Sequence, residues 1–140
     1  MNENLDIDKA PIKVVCGVIL NDERKVFLCL RMKEKSMGGY WEFPGGKLEN
    51  GESYKECLER ELLEELDMRV KVEERLITVL HDYGSFKIEL IAYYCCFQES
   101  SYEMTDHDQY EWVDIPSIFQ KNLAPADIPI AECLLVTKSS

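Results

Sequence analysis

Apolar positions recur along this chain in two rhythms. From Ile12 to Leu20 they are nearly continuous and rich in β-branched residues, which predicts a strand buried on both faces. Asn21-Asp22-Glu23 is a turn, and Lys25 to Arg31 is a second strand around Val26-Phe27-Leu28-Cys29-Leu30, so the two form a hairpin. Met32 to Gly39 is a polar loop, and Tyr40 to Phe43 is a short strand stopped by Pro44. The period then changes. Leu58, Leu62 and Leu66 recur every fourth residue, the stripe of a half-buried helix. Strand patterning returns over Arg69 to Tyr83, followed by a turn at His81 to Ser85. Phe86 to Phe97 is a long strand with Ile88, Leu90 and Ala92 on one side and Glu89, Ile91 and Tyr93 on the other. Gln98 to Gln109 reads as a polar loop containing His107, and Tyr110 to Val113 as a short strand. Pro116 opens a brief helix to Lys121, and Ile128 to Val136 is a final amphipathic helix.

Strands, helix, strands and helix in that order, with hairpins dominant, predict an α/β (α+β) fold around a mixed sheet. No repeat, linker or low-complexity tract divides residues 1–140, so one domain is expected. A net charge of −11 argues against nucleic-acid polymers and anionic membranes as partners, both of which reward basic surfaces. It leaves a nucleotide open, because a bound cation reverses the local field. Arg24, Lys25, Arg31, Lys33, Lys35 and Lys47 also form a basic stretch ahead of the most acidic segment. The six cysteines include no C-x-x-C pair and sit mostly in apolar runs, which suggests buried thiols in a reducing cytoplasm and no zinc site. Met1 to Pro11 is polar and acidic, so no signal peptide is expected, and no apolar run approaches membrane-spanning length.

The candidate chemistry lies in Gly45 to Met68. A glycine pair leads into an acidic loop, and the loop feeds a helix crowded with carboxylates. Ser53 with Glu56 is a capping box, which starts the helix near Tyr54. Glu61, Glu64 and Glu65 fall together beside the leucine stripe, within roughly 100° of arc. Three ionised carboxylates so close raise one another's pKa, and a divalent cation removes the conflict. Carboxylate, phosphate and water oxygens are the ligands Mg²⁺ prefers. Arg60 can pair with Glu64 one turn on, or fold back on Glu52 and lock the loop to the helix. A solvated acidic helix face would contain the same residues, and only the spacing of the whole stretch argues for more.

That spacing, G-x5-E-x7-R-E-U-x-E-E-x-D-U with U a bulky apolar residue, resembles the Nudix box at every specified position but one. The departure is Asp67, where that family has Gly. The position ends the helix in a left-handed conformation, which costs Asp on the order of 1 kcal/mol. The resemblance implies a Nudix fold, a mixed sheet sandwiched between helices, over about residues 10–137. It also implies Glu61, Glu64 and Glu65 as ligands of Mg²⁺, with Mn²⁺ as a substitute. A backbone carbonyl at Gly45 or Gly46 would be a further ligand, and Glu52 with Arg60 a structural ion pair. Trp41 to Lys47 and Leu123 to Pro129 resemble the MutT-like branch, and within it CTP pyrophosphohydrolases.

In that branch the resemblance places a phosphate-contacting arginine at Arg31 and a loop acid at Asp106 that binds metal or acts as base. Lys47 faces phosphate or solvent. Phe86 and Trp112 are aromatic groups that stack on a base or belong to the core. Asp127 is either the N-cap of the last helix or a carboxylate facing the base, where an ionised acceptor suits the N4 amine of cytosine. The reaction implied is attack of water on a phosphorus of a nucleoside triphosphate, giving the monophosphate and pyrophosphate. Glu61, Glu64 and Asp106 are the candidate bases. An 8-oxo-dGTP diphosphatase, a hydrolase of a nucleotide sugar or ADP-ribose, and a non-catalytic nucleotide-binding module remain as alternatives. The oligomeric state, monomer or homodimer, is open.

Overall fold

The structure is a computed structural model, and it describes residues 10–138. The described residues form strands β1 (Ile12–Leu20), β2 (Val26–Arg31), β3 (Trp41–Glu42) and β4 (Gly45–Lys47), then helix α1 (Tyr54–Leu66). Strands β5 (Met68–Asp82), β6 (Lys87–Ser100) and β7 (His107–Val113) follow, then two 3-10 segments, Ile115–Gln120 and Pro125–Asp127, and helix α2 (Ile128–Lys138). Five strands run in the order β3-β2-β1-β6-β5, with β4 also paired to β1 and β7 to β2. The sheet is mixed, as expected: β1 is parallel to β6 and antiparallel to β2.

Side chains of β1 alternate between two cores. Val15 and Ile19 pack with Phe27, Ile91 and the leucines of α1. Cys16 and Val18 pack on the other face with Leu28, Leu90 and the α2 residues Ile130 and Leu134. Burial on both faces is why Ile12 to Leu20 reads as continuous rather than alternating. Leu58, Leu62 and Leu66 are at most 1% exposed, and burying each stabilises the fold by about 2 kcal/mol. The Ser53 hydroxyl accepts from the Glu56 amide at 3.1 Å while the Glu56 carboxylate accepts from the Ser53 amide at 2.9 Å. Asp67 closes the helix at φ 47°, ψ 43°, donating its amide to Leu62 and Leu63 carbonyls, so the left-handed cap is present without glycine.

Three segments differ from expectation. Gly45–Lys47 is a strand rather than part of a loop, paired antiparallel to β1 with Gly45 opposite Cys16. A Cβ at Gly45 would meet the Val15 carbonyl at 1.9 Å, so only glycine permits the approach, and glycine hides the strand from propensity. β7 begins at His107 rather than Tyr110, because pairing of His107 with Arg31 imposes extension on a polar segment. Helix α2 is apolar on more than one side: Ile130, Ala131 and Leu134 are buried, while Val136 is 72% exposed. No helix among the described residues is long and apolar enough to cross a membrane.

Candidate active site

Arg60 ties the acidic loop to α1. Its Nη2 donates to Glu52 Oε1 at 3.0 Å and to the Lys47 carbonyl at 3.3 Å. Its Nη1 lies 3.2 Å from Glu64, 3.4 Å from Glu61 and 3.6 Å from Glu49. Arg60 therefore makes both pairings that its position allows, and the guanidinium is shared among four carboxylates. The Arg60 hydrogen bond pulls the Glu52 carboxyl down to about 2. Glu52 also accepts from the Glu49 amide at 3.0 Å, which curls the loop back toward the helix.

Glu61 and Glu65 line a cleft of about 670 Å³, a size that suits a nucleotide. Gly45, Gly46, Lys47 and Arg31 line the same cleft. Burial raises the Glu61 carboxyl. Burial first, then Glu61 and Asp106 nearby, push Glu65 up to about 9. Asp106 stands against Glu65, reached from the segment between β6 and β7. Burial works against its charge, and the Lys35 ammonium 3.1 Å away, together with Arg31 and a hydrogen bond to Glu65, more than offsets that, so its pKa falls. Glu64 is 60% exposed and turned toward Arg60, apart from the cleft lining. The structure thus groups Glu61, Glu65 and Asp106, with Glu64 at the edge. A Cβ on Gly46 would fall 2.1–2.5 Å from the Glu61 carboxylate, so bare backbone is packed directly against that group. Crowded, partly buried oxygen donors, with the proton affinity of Glu61 and Glu65 raised and bare glycine backbone against Glu61, fit a hard divalent cation.

The rest of the cleft lining is built differently. Asp127 is 6% exposed, and its Oδ2 accepts from the Phe43 amide at 2.8 Å. Its carboxyl therefore bonds the segment between β3 and β4, and the capping role expected of it yields to this long-range bond. Burial first, then Glu42, raise Asp127 well above the ordinary carboxylate value, so the neutral acid is favoured over the ionised acceptor. Glu42, which sequence reasoning passed over, lines the cleft with its Oε2 2.8 Å from His107 Nε2 and 3.6 Å from Arg31 Nη1. The signal was a lone carboxylate inside Tyr40-Trp41-Glu42-Phe43. His107 lies in a strand with a fully buried side chain, not in a loop. Cys29, Glu42 and His107 bring ligand atoms within 4.8 Å of one another, a set whose thiol and imidazole suit Mg²⁺ poorly. Arg31 donates Nε to the Ser36 carbonyl at 2.7 Å, which holds it at the rim. Phe86 lines the cleft and stacks on Tyr83 at 5.3 Å, whereas Trp112 packs edge-on against Phe27 in the core. Burial raises the Cys16 and Cys29 thiols far above their ordinary value, so neither serves as a nucleophile.

A family model described as a NUDIX domain matches residues 15–132. A CTP pyrophosphohydrolase of Escherichia coli is 32% identical over 129 residues, 92% of this chain and 95% of that protein. An 8-oxo-dGTP diphosphatase of Proteus vulgaris is 42% identical over 84 residues, 60% of this chain and 75% of that protein. The crystal structure of a MutT protein from Methanosarcina mazei superposes with a TM-score of 0.85 at 23% identity, covering 95% of this chain and 99% of that one, which bears on the fold alone.

Proposed function

Because this chain belongs to the Nudix hydrolase family, in its MutT-like branch, we propose that it cleaves (d)CTP or a modified pyrimidine nucleoside triphosphate to the monophosphate and pyrophosphate. The observation that carries this reading is one cleft lined both by an oxygen-ligand cluster, Glu61 and Glu65, and by the half-buried Glu42 with the buried Asp127. Glu61, Glu65, a backbone carbonyl at Gly45 or Gly46 and, from the edge, Glu64 would hold Mg²⁺ or Mn²⁺. When bound, that ion supplies charge neutralisation at the phosphates and acidifies water. Arg60 keeps the loop and helix in register so that the cluster does not spread. Arg31 and Lys47 at the cleft wall attract the triphosphate, and a carboxylate of the Glu61–Glu65–Asp106 cluster takes the proton of the attacking water.

Base choice rests on hydrogen-bond polarity. Glu42, 3.6 Å from Arg31, accepts from the N4 amine of cytosine. Asp127, favoured in its neutral form, donates to a ring acceptor such as N3. Phe86 stacks on the base. The six cysteines are free thiols, which supports the cytoplasm as the compartment. A second reading, an 8-oxo-dGTP diphosphatase, is favoured by the higher local identity to the Proteus vulgaris enzyme. The deciding experiment is a panel of dCTP, dTTP, dGTP, 8-oxo-dGTP and a nucleotide sugar with Mg²⁺, products resolved by ³¹P NMR. The expected result is fastest turnover of dCTP to dCMP and pyrophosphate, abolished by EDTA. Release of two phosphates, or preference for the nucleotide sugar, overturns it. Preference for 8-oxo-dGTP moves the assignment to the second reading.

A further inference from the structure

We propose that His107 is a positioning residue for base selection: its imidazole fixes the Glu42 carboxylate so that one oxygen is presented to the nucleobase. This rests on the reading of Glu42 and Asp127 as the base-contacting pair. His107 lies in β7 opposite Arg31 of β2, and its side chain has no exposed surface. Its Nε2 is 2.8 Å from Glu42 Oε2. The carboxylate oxygen accepts this bond, so Nε2 carries the hydrogen. Nδ1 is buried without a hydrogen-bond partner among the described residues, and a bare lone pair is tolerated there better than an unpaired N–H. The ring is therefore the Nε2–H tautomer, committed to a single bond.

An apolar side chain would fill the same space without leaving a nitrogen unpaired, so packing alone does not account for the imidazole. What it adds is direction. Arg31 Nη1 stands farther from the same oxygen, at 3.6 Å, and Arg31 is anchored elsewhere through Nε to the Ser36 carbonyl. The guanidinium supplies charge and the imidazole supplies geometry. With Oε2 committed, Oε1 is the oxygen of Glu42 left for a ligand. Asp127 has the same division, its Oδ2 held by the Phe43 amide. Glu42 and Phe43 are adjacent, so two neighbouring carboxyl groups each keep one oxygen for the protein and one for the cleft.

The test uses the full chain with His107→Leu, which fills the space without a donor, and His107→Gln, whose amide N–H reaches the same oxygen. Steady-state kinetics with dCTP and dTTP are measured beside thermal melts. His107→Leu is expected to raise KM for dCTP about tenfold, to leave kcat within about threefold, and to lower the dCTP-to-dTTP ratio of kcat/KM by about fivefold. His107→Gln is expected to restore that ratio to within about twofold of wild type. Equal losses on both substrates with a lowered Tm in both variants show a purely structural role and overturn the proposal. A readout independent of turnover is the long-range ¹H–¹⁵N spectrum of the imidazoles, simple because the chain has two histidines. It should show His107 as the Nε2–H tautomer, with a resonance that moves in Glu42→Gln. The other tautomer, or no response to Glu42→Gln, overturns the proposal even if the His107 variants fail to fold. Should wild type prefer another nucleotide, the cytosine reading fails by itself. His107 is then judged on KM for that nucleotide, and an unchanged KM in His107→Leu overturns its role.

Discussion

Gly46 and Glu61 are in direct backbone-to-carboxylate contact: a single methyl group on Gly46 would overlap the Glu61 carboxyl carbon at 2.1 Å. The glycine of β4 is thus a spacer that lets a strand lie flush against the carboxylate face of α1. Gly46→Ala should push Glu61 aside while the cores on either side of the sheet stay intact. A displacement of about 1 Å at a reacting site costs on the order of 100-fold in rate. We expect kcat/KM to fall by about that factor and divalent-metal affinity, followed by calorimetry, to weaken. Wild-type metal affinity in Gly46→Ala would show that Glu61 does not need this contact.

Glu65 makes the metal-free protein sensitive to alkali. Its folded pKa, about 9, lies above the ordinary 4.5, so between those values the folded state binds more protons than the unfolded chain. Stability of the metal-free protein should therefore fall as pH rises through that window, by up to about 1.4 kcal/mol per pH unit. Glu65→Gln should flatten the slope and raise Tm at pH 8 in EDTA. It should also reduce metal-dependent turnover by roughly 100-fold, about 3 kcal/mol of transition-state stabilisation. Melting curves across pH, with EDTA and with Mg²⁺, give the answer. A Glu65→Gln protein as pH-sensitive as wild type would contradict the assignment.

The Glu52–Arg60 pair has the opposite sign. Glu52 is depressed to about 2, so its contribution is present above the ordinary 4.5 and disappears as pH falls through the folded value. Arg60→Ala strands Glu52 and releases Glu61 and Glu64 to repel each other. Lower Tm at pH 7 is expected, with a smaller difference from wild type at pH 3, and with loss of rate as the loop leaves the helix. If the Tm difference is the same at both pH values, the pair is not the source of the stability.

Asp127 should behave as a neutral acid. Its folded pKa is raised, so its carboxyl is most favourable at low pH and becomes a liability as pH rises above the ordinary 3.8. Asparagine reproduces both the acceptor toward the Phe43 amide and a donor toward the cleft. Asp127→Asn should raise Tm at pH 8 and keep kcat/KM for dCTP within a few fold. Asp127→Leu should lose roughly tenfold or more, the scale of one misplaced polar contact. A large loss in Asp127→Asn, with the fold intact, would mean that the ionised form reads the base.

Leucines every fourth residue, the Ser53–Glu56 box and the Arg60–Glu52 spacing specify α1 and its loop from the chain alone. Each acts over one or two helical turns, where sequence distance and spatial distance agree. Continuous apolar runs likewise mark β1 and its neighbours, because burial on two faces leaves no polar position from Val14 to Leu20. Tertiary structure decided the rest. Glu42 and His107 are 65 residues apart, and Phe43 and Asp127 are 84 apart. No local pattern announces which carboxylate oxygen will find which donor over such a span. β4 was hidden because glycine lacks the side chain that strand patterning reads, and its pairing comes wholly from β1. The three box glutamates look equivalent in sequence. Packing alone turned Glu61 and Glu65 partly buried into the cleft and left Glu64 at the surface with Arg60, since proton affinity and ligand access follow from desolvation, which no spacing encodes.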